Sequence, residues 1–150
     1  MLSGPMIMSG YYRNPEATAQ TMIDGWIRSG DLGLTDAEGR LFIVGRKKDL
    51  IIRGGANVYP VEIEEVLYSH PGVAECAVVG LPDPVFGERV KAFIVRRSHT
   101  VGSEELLAHC AASLADYKLP AEIEFLDELP KGPTGKILRR ELRERSAPQS

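Results

Sequence analysis

One lysine in this 150-residue sequence is set up to meet a phosphate. Lys136 stands in Pro130-Lys131-Gly132-Pro133-Thr134-Gly135-Lys136-Ile137-Leu138-Arg139-Arg140, just ahead of a basic helix. Gly132 and Gly135 can take backbone angles closed to other residues, and Pro130 and Pro133 stiffen the approach, so the ammonium sits at the end of a shaped arm. A lysine ammonium is a compact point charge with three donors, which suits a phosphate oxygen. Standing alone, the same lysine reads as a solvated residue at a helix start, where a cation is slightly unfavourable against the helix dipole.

Three further clusters carry polar chemistry. Ser29-Gly30-Asp31 puts a carboxylate directly after a glycine, where it could accept two hydrogen bonds from vicinal hydroxyls such as those of a ribose. A Gly-Asp pair by itself reads as a turn. Gly45-Arg46-Lys47-Lys48-Asp49 is a charged break between two apolar runs; its spacing suits a solvated connector, or a hinge that carries a phosphate-facing arginine. Arg53-Gly54-Gly55-Ala56-Asn57-Val58-Tyr59-Pro60 permits close approach of backbone to a ligand or simply a sharp reversal, and the glycines leave both open. Arg139, Arg140, Arg143 and Arg145 read as a solvated basic face, with attraction of an anionic partner as the alternative.

Composition narrows the function classes. A net charge of −3 and a pI near 5.7 argue against a general nucleic-acid binder, whose footprint would be strongly basic. At 43% hydrophobic, the chain can build one compact core of about 100 residues with an appendage. Cys76 and Cys110 fall in apolar runs without Cys-x-x-Cys spacing and are expected to be buried free thiols. His70, His99 and His109 are scattered without ligand spacing, so no metal site is expected. Apolar runs such as Val73 to Leu81 are too short for a membrane span, and the N-terminus has no signal-peptide pattern. The expectation is a cytoplasmic protein with no membrane span and no nucleic-acid partner.

The elements that must position these clusters fall into two parts. Residues 1–47 are rich in Gly, Asn and Asp turns, with one strand-like run at Leu41-Phe42-Ile43-Val44 and no amphipathic helix of useful length. Gly4-Pro5-Met6-Ile7-Met8 and Gly25-Trp26-Ile27 expose apolar residues with few partners, as at the edge of something larger. From Asp49 the pattern predicts strands at 50–53, 73–80, 90–96 and 122–126, and helices at 60–69, 103–115 and about 138–145. Pro60 suits a first helical position, Glu62, Glu64 and Glu65 suit the positive end of the dipole, and Ile63, Val66 and Leu67 form an inward stripe. Ser103 is expected to cap the next helix, with Leu107, Cys110, Ala111 and Leu114 facing inward. The fold class is α+β, a small mixed sheet with packed helices. Residues 146–150 are expected to form a disordered tail.

In this order the clusters resemble the C-terminal portion of the acyl-CoA synthetase branch of the adenylate-forming (AMP-binding) enzymes. The likeness runs through Gly10-Tyr11-Tyr12-Arg13-Asn14-Pro15-Glu16-Ala17-Thr18, Gly25 to Asp31, Gly45 to Asp49, Gly54 to Glu64, and Pro130 to Leu142. It implies a two-step reaction: a carboxylic acid and ATP give an acyl-adenylate and pyrophosphate, then the thiol of coenzyme A displaces AMP. It also implies roles by position: Asp31 and Arg46 on the nucleotide, Lys136 as the catalytic lysine of adenylation, Lys48 as the hinge, and Gly54 and Gly55 at the coenzyme A tunnel. The sequence departs from the family at Ser29, where many members carry Thr, and at Ala56, where many carry Glu, so no gating role is transferred to position 56. The division implied is a remnant of a large N-terminal domain at 1–47, a C-terminal lid at 48–145 and a tail at 146–150. That large domain, which holds the adenine and acyl pockets, is the partner implied. ATP with Mg2+ and coenzyme A are implied as substrates of the complete enzyme, neither bound tightly by this chain alone. The alternatives are the end of an adenylation domain that loads a carrier protein, and a non-catalytic docking module.

Overall fold

The computed structural model describes residues 1–97 and 100–146; His99 and residues 147–150 of the expected tail lie outside the described residues. The chain separates into two compact units, Met1–Lys48 and Asp49–Ser150.

The first unit contains a helix that its turn-rich composition hides. Helix α1 (Pro15–Thr21) starts because Asn14 Oδ1 accepts from the Ala17 amide at 3.0 Å and Pro15 occupies the first turn. Gly10 is required beside it, since a Cβ there would lie 2.9 Å from Thr18 Cγ2. Strands β1 (Met22–Ile23) and β2 (Trp26–Ile27) form a minimal hairpin whose two central residues, Asp24 and Gly25, have φ of 50° and 78°. Positive φ at both positions matches the twist of a two-residue hairpin. Strands β3 (Asp31–Thr35) and β4 (Leu41–Arg46) pair antiparallel, and Asp36 Oδ1 closes their turn by accepting from the amides of Glu38 and Arg40. β4 extends the expected strand through Gly45 to Arg46. Leu34, Leu41, Phe42 and Ile43 are exposed on this ribbon, and Met6 and Trp26, from the two runs the sequence marked as short of partners, are exposed as well.

The second unit is the mixed sheet with packed helices. It comprises β5 (Ile51–Arg53), β6 (Ala56–Val58), α2 (Pro60–Ser69), β7 (Val73–Asp83), β8 (Gly87–Arg96), α3 (Ser103–Ala111), β9 (Glu122–Phe125) and α4 (Arg139–Arg145). β7 and β8 form a long antiparallel ladder from Val73↔Arg96 to Asp83↔Gly87. β9 joins β8 in parallel, β5 meets β8 at Arg53↔Gly87, and β6 pairs with β5. Successive side chains of β7 and β8 point to opposite faces, and both faces are covered. Val78, Val90, Ala92 and Ile94 pack with Ile63, Leu67, Leu106 and Cys110 under α2 and α3. Ala77, Val79, Leu81 and Phe93 pack on the other side with Leu129 and Leu142 of α4.

Several local expectations need correction. β7 and β8 run on to Asp83 and back from Gly87, because the Asp83 carboxylate accepts from the Val85 and Phe86 amides and closes the hairpin beyond Pro82. Helix α3 is capped at Gly102 without a side-chain bond, so Ser103 is its first residue rather than its cap, and it ends at Ala111. Its inward face is Leu106 and Cys110, followed by the buried Leu114; Ala111 is exposed. Adjacent leucines at 106 and 107 allow either helical register, and packing against Leu67 and Val101 selects the first. α2 begins at Pro60 as expected, with Ile63 and Leu67 fully buried, but Glu64 is buried as well and serves a different purpose from the dipole.

Candidate functional site

In the first unit, the pairing of β3 with β4 sets Asp31 directly opposite Arg46, with Arg46 Nε 3.3 Å from Asp31 Oδ1. The approach is a turn: Gly30 has φ of 76°, the Asp31 amide donates to Ser29 Oγ at 3.2 Å, and the Lys47 amide donates to the Gly30 carbonyl at 2.8 Å. Ser29, Gly30, Arg46, Lys47 and Lys48 line one open hollow. Three cations therefore line this hollow, and Asp31 stands beside it through its contact with Arg46, an arrangement that suits a ligand with hydroxyls beside phosphates. A second, larger hollow around Gly10, Tyr11, Asn14 and Thr18 has no comparable charge, and the chemistry points to the first. Lys48 lies in a 3₁₀ turn, Lys47–Asp49, between β4 and β5.

In the second unit, Gly54 and Gly55 form the β5–β6 turn with φ of 58° and 83°, angles that favour glycine. The Gly54 amide donates to the Phe86 carbonyl at 2.8 Å, and the Phe86 ring stands against it with Arg53 stacked 5.4 Å from the ring centroid. A Cβ on Gly55 would meet nothing within 4 Å, so the glycine is needed for its backbone angle rather than for room within this chain.

Lys136 is exposed on a small closed loop. The Leu138 amide donates to Pro130 O at 2.8 Å, the Gly132 amide to Lys136 O at 2.9 Å, and the Gly135 amide to Gly132 O at 2.9 Å. The loop thus holds its own shape before the helix starts. α4 begins only at Arg139, so Lys136 precedes the helix rather than standing in its first turn. The loop is moored to β7 by Lys131, whose Nζ lies 2.5 Å from Glu75 Oε1, whereas the Gly54 turn is moored to Phe86 beyond the Asp83 end. Glu75 and Asp83 are eight residues apart on one strand. At about 3.3 Å per residue, the two moorings are on the order of 25 Å apart.

The arginines of α4 are the solvated face the sequence suggested only at Arg140 and Arg145; Arg139 and Arg143 are drawn inward by carboxylates. Arg139 Nη2 lies 2.6 and 2.8 Å from the two oxygens of Glu64, Arg143 Nη2 lies 3.2 Å from Asp49 Oδ1, and Arg145 Nε lies 3.1 Å from Glu124 Oε1. Arg140 and Arg145 remain largely exposed, Arg140 with only a long contact to Glu144. Glu64 Oε1 also accepts from the Val78 amide at 2.8 Å, and Tyr68 Oη bonds the Cys76 amide and carbonyl, so α2 side chains satisfy the unpaired edge of β7. These contacts are long-range in sequence, and no local signal announces them. Burial first, and then the Glu64 charge, push the Cys76 thiol up to about 12; Cys76 and Cys110 are both free and buried, as expected. His70 and His109 stack edge to face at 5.0 Å. His70 Nδ1 accepts from the Gly72 amide and His109 Nε2 contacts Val66 O, which are structural roles. Among the described residues, no group of three or more His, Cys, Asp or Glu could hold a metal ion, and no helix is long and apolar enough to cross a membrane.

Residues 62–136 match the family described as the AMP-binding enzyme C-terminal domain, and the chain belongs to that family. It is 52% identical over 141 residues to a long-chain-fatty-acid–CoA ligase of Yersinia pestis, covering 94% of this chain and 25% of that protein. It is 48% identical over 146 residues to a feruloyl-CoA synthase of an Amycolatopsis species, covering 97% of this chain and 30% of that protein. Among solved structures, an o-succinylbenzoate CoA synthetase from Bacillus subtilis, in complex with its acyl-adenylate intermediate, matches with a TM-score of 0.89 and 42% identity, covering 94% of this chain and 29% of that one. The chain therefore spans between a quarter and three tenths of the length of these relatives.

Proposed function

We propose that the chain is the mobile C-terminal part of an ATP-dependent acyl-CoA synthetase, with residues 48–145 as the lid and 1–47 as the last strands of the large domain. Lys136 serves adenylation, and the Gly54-Gly55 turn serves thioester formation. The observation that carries this is the placement of the two moorings at opposite ends of the β7–β8 ladder. Two groups so far apart on one compact unit can serve one acyl group only in turn, and rotation of that unit about Lys48 would exchange them.

In the first step a carboxylate oxygen bonds to the α-phosphorus of ATP as the bond to pyrophosphate breaks. Negative charge gathers on the phosphoryl oxygens, and a lysine ammonium placed there lowers the barrier. At about 4 Å and an effective dielectric near 20, the contact is worth roughly 4 kcal/mol, about a thousandfold in rate. Asp31 turns one oxygen to Arg46, which leaves the other for the ribose hydroxyls, and Arg46 keeps its remaining donors for phosphate. In the second step the coenzyme A sulfur attacks the acyl carbon and AMP leaves with the electron pair of the broken C–O bond. Glycine at 54 and 55 keeps side chains out of the thiol's path. Among the described residues, no cluster of His, Cys, Asp or Glu could hold Mg2+. Two buried free thiols suit the reducing cytoplasm, where we place the enzyme.

The test adds this chain to the large domain of a related CoA ligase from which the corresponding segment has been removed. Pyrophosphate exchange and thioester formation are then followed. Restoration of both supports the proposal. Restored exchange with transfer only to a carrier protein identifies the carrier-loading alternative, and binding without either activity identifies a docking module.

A further inference from the structure

We infer that Arg139 is a positioning residue for Lys136, acting through Glu64; the inference rests on the role proposed for Lys136 above. Lys136 has no hydrogen bond or ion pair from its own ammonium to any described residue, so its position is set by the loop that carries it. The loop's internal bonds, from Leu138 to Pro130 and from Gly132 to Lys136, fix its shape but not where it stands on the domain. Two polar ties do that. Lys131 with Glu75 is the weaker, because both side chains are more than a third exposed and such pairs contribute little.

Arg139 with Glu64 is the stronger. Arg139 is the first residue of α4, three residues after Lys136, and its Nη2 contacts both oxygens of a carboxylate that is only 8% exposed. Glu64 in turn is oriented by the Val78 amide and rooted in α2, so one carboxylate joins α2, the free edge of β7 and the start of α4. A charged pair held this way specifies direction as well as distance. Apolar contacts of Ile137 and Leu142 hold the segment against the sheet, but they are non-directional and tolerate sliding. A displacement of about 1 Å at a catalytic group can cost on the order of a hundredfold in rate.

The experiment is a double-mutant cycle in the complete ligase. It uses Arg139→Ala, Arg139→Lys, Lys136→Ala and the double variant Lys136→Ala/Arg139→Ala, each measured for adenylate formation and for thioester formation from supplied acyl-adenylate. Arg139→Ala should slow adenylate formation about ten- to a hundredfold and leave the thioester step within about threefold, and Arg139→Lys should recover part of the loss. In the Lys136→Ala background, Arg139→Ala should cost less than about twofold more, since a residue that acts through another has nothing left to position. Additive losses in the double variant would overturn the inference and leave the role of Lys136 standing. Equal loss of both half-reactions in Arg139→Lys would also overturn it, by showing a merely structural tie. An unaffected Lys136→Ala enzyme would overturn both.

Discussion

Arg143 of α4 reaches Asp49, the residue directly after Lys48, with Nη2 3.2 Å from Oδ1. The last helix is thereby tied to the first residue of the second unit. Asp49 is the more buried partner, at 14% side-chain exposure against 34% for Arg143. Removing the arginine would leave a half-buried carboxylate short of a partner. Arg143→Ala is expected to lower unfolding free energy by about 1–2 kcal/mol, and Asp49→Ala by a similar amount. The double variant should cost less than the two losses added together. Denaturant midpoints at constant m-value check this, and strictly additive losses would show that the contact contributes nothing.

Cys76 makes stability depend on pH at the alkaline end. Its thiol ionises near its ordinary 9.0 when unfolded, but burial and the Glu64 charge raise it to about 12 in the fold. The folded state holds its proton where the unfolded state has lost it, so stability from this group is complete below about pH 9 and falls as pH rises towards about 12. The slope is at most about 1.4 kcal/mol per pH unit. Cys76→Ala should therefore flatten the fall in stability between these limits relative to the parent protein. Unchanged curvature would place the alkaline loss on other groups. At neutral pH the native thiol should also resist alkylation until the domain unfolds.

Much of the second unit is legible in the sequence because both faces of its sheet are covered. Val73 to Leu81 and Val90 to Val95 become near-continuous apolar runs, and Pro60 marks the helix start between strands. Helix α1 is not legible: it has seven residues, none buried, and depends on the Asn14 cap rather than on an apolar stripe. The inward register of α3 fails for a related reason, since Leu106 and Leu107 stand side by side and only their neighbours choose between them. The facing of Asp31 and Arg46 follows from one hairpin and lies within reach of motif reasoning. Glu64 with Arg139 does not, because the residues are 75 positions apart and each has an adequate local explanation, one as a dipole partner and the other as a solvated cation.

Lys48 offers a test of the hinge. It sits within the 3₁₀ turn Lys47–Asp49, and Lys48→Pro fixes its φ and restricts the preceding Lys47. Fixing that φ restricts the rotation proposed between half-reactions. In the complete enzyme, thioester formation should slow by at least about tenfold more than adenylate formation. Unaltered thioester kinetics would remove Lys48 as the pivot.

The proposed division of labour is tested most directly by single-turnover measurement of both half-reactions in Lys136→Ala. Adenylate formation should fall by about two to four orders of magnitude, while supplied acyl-adenylate is converted to thioester at close to the parent rate. Equal loss in both half-reactions, or no loss in the first, would contradict the assignment of Lys136 to adenylation.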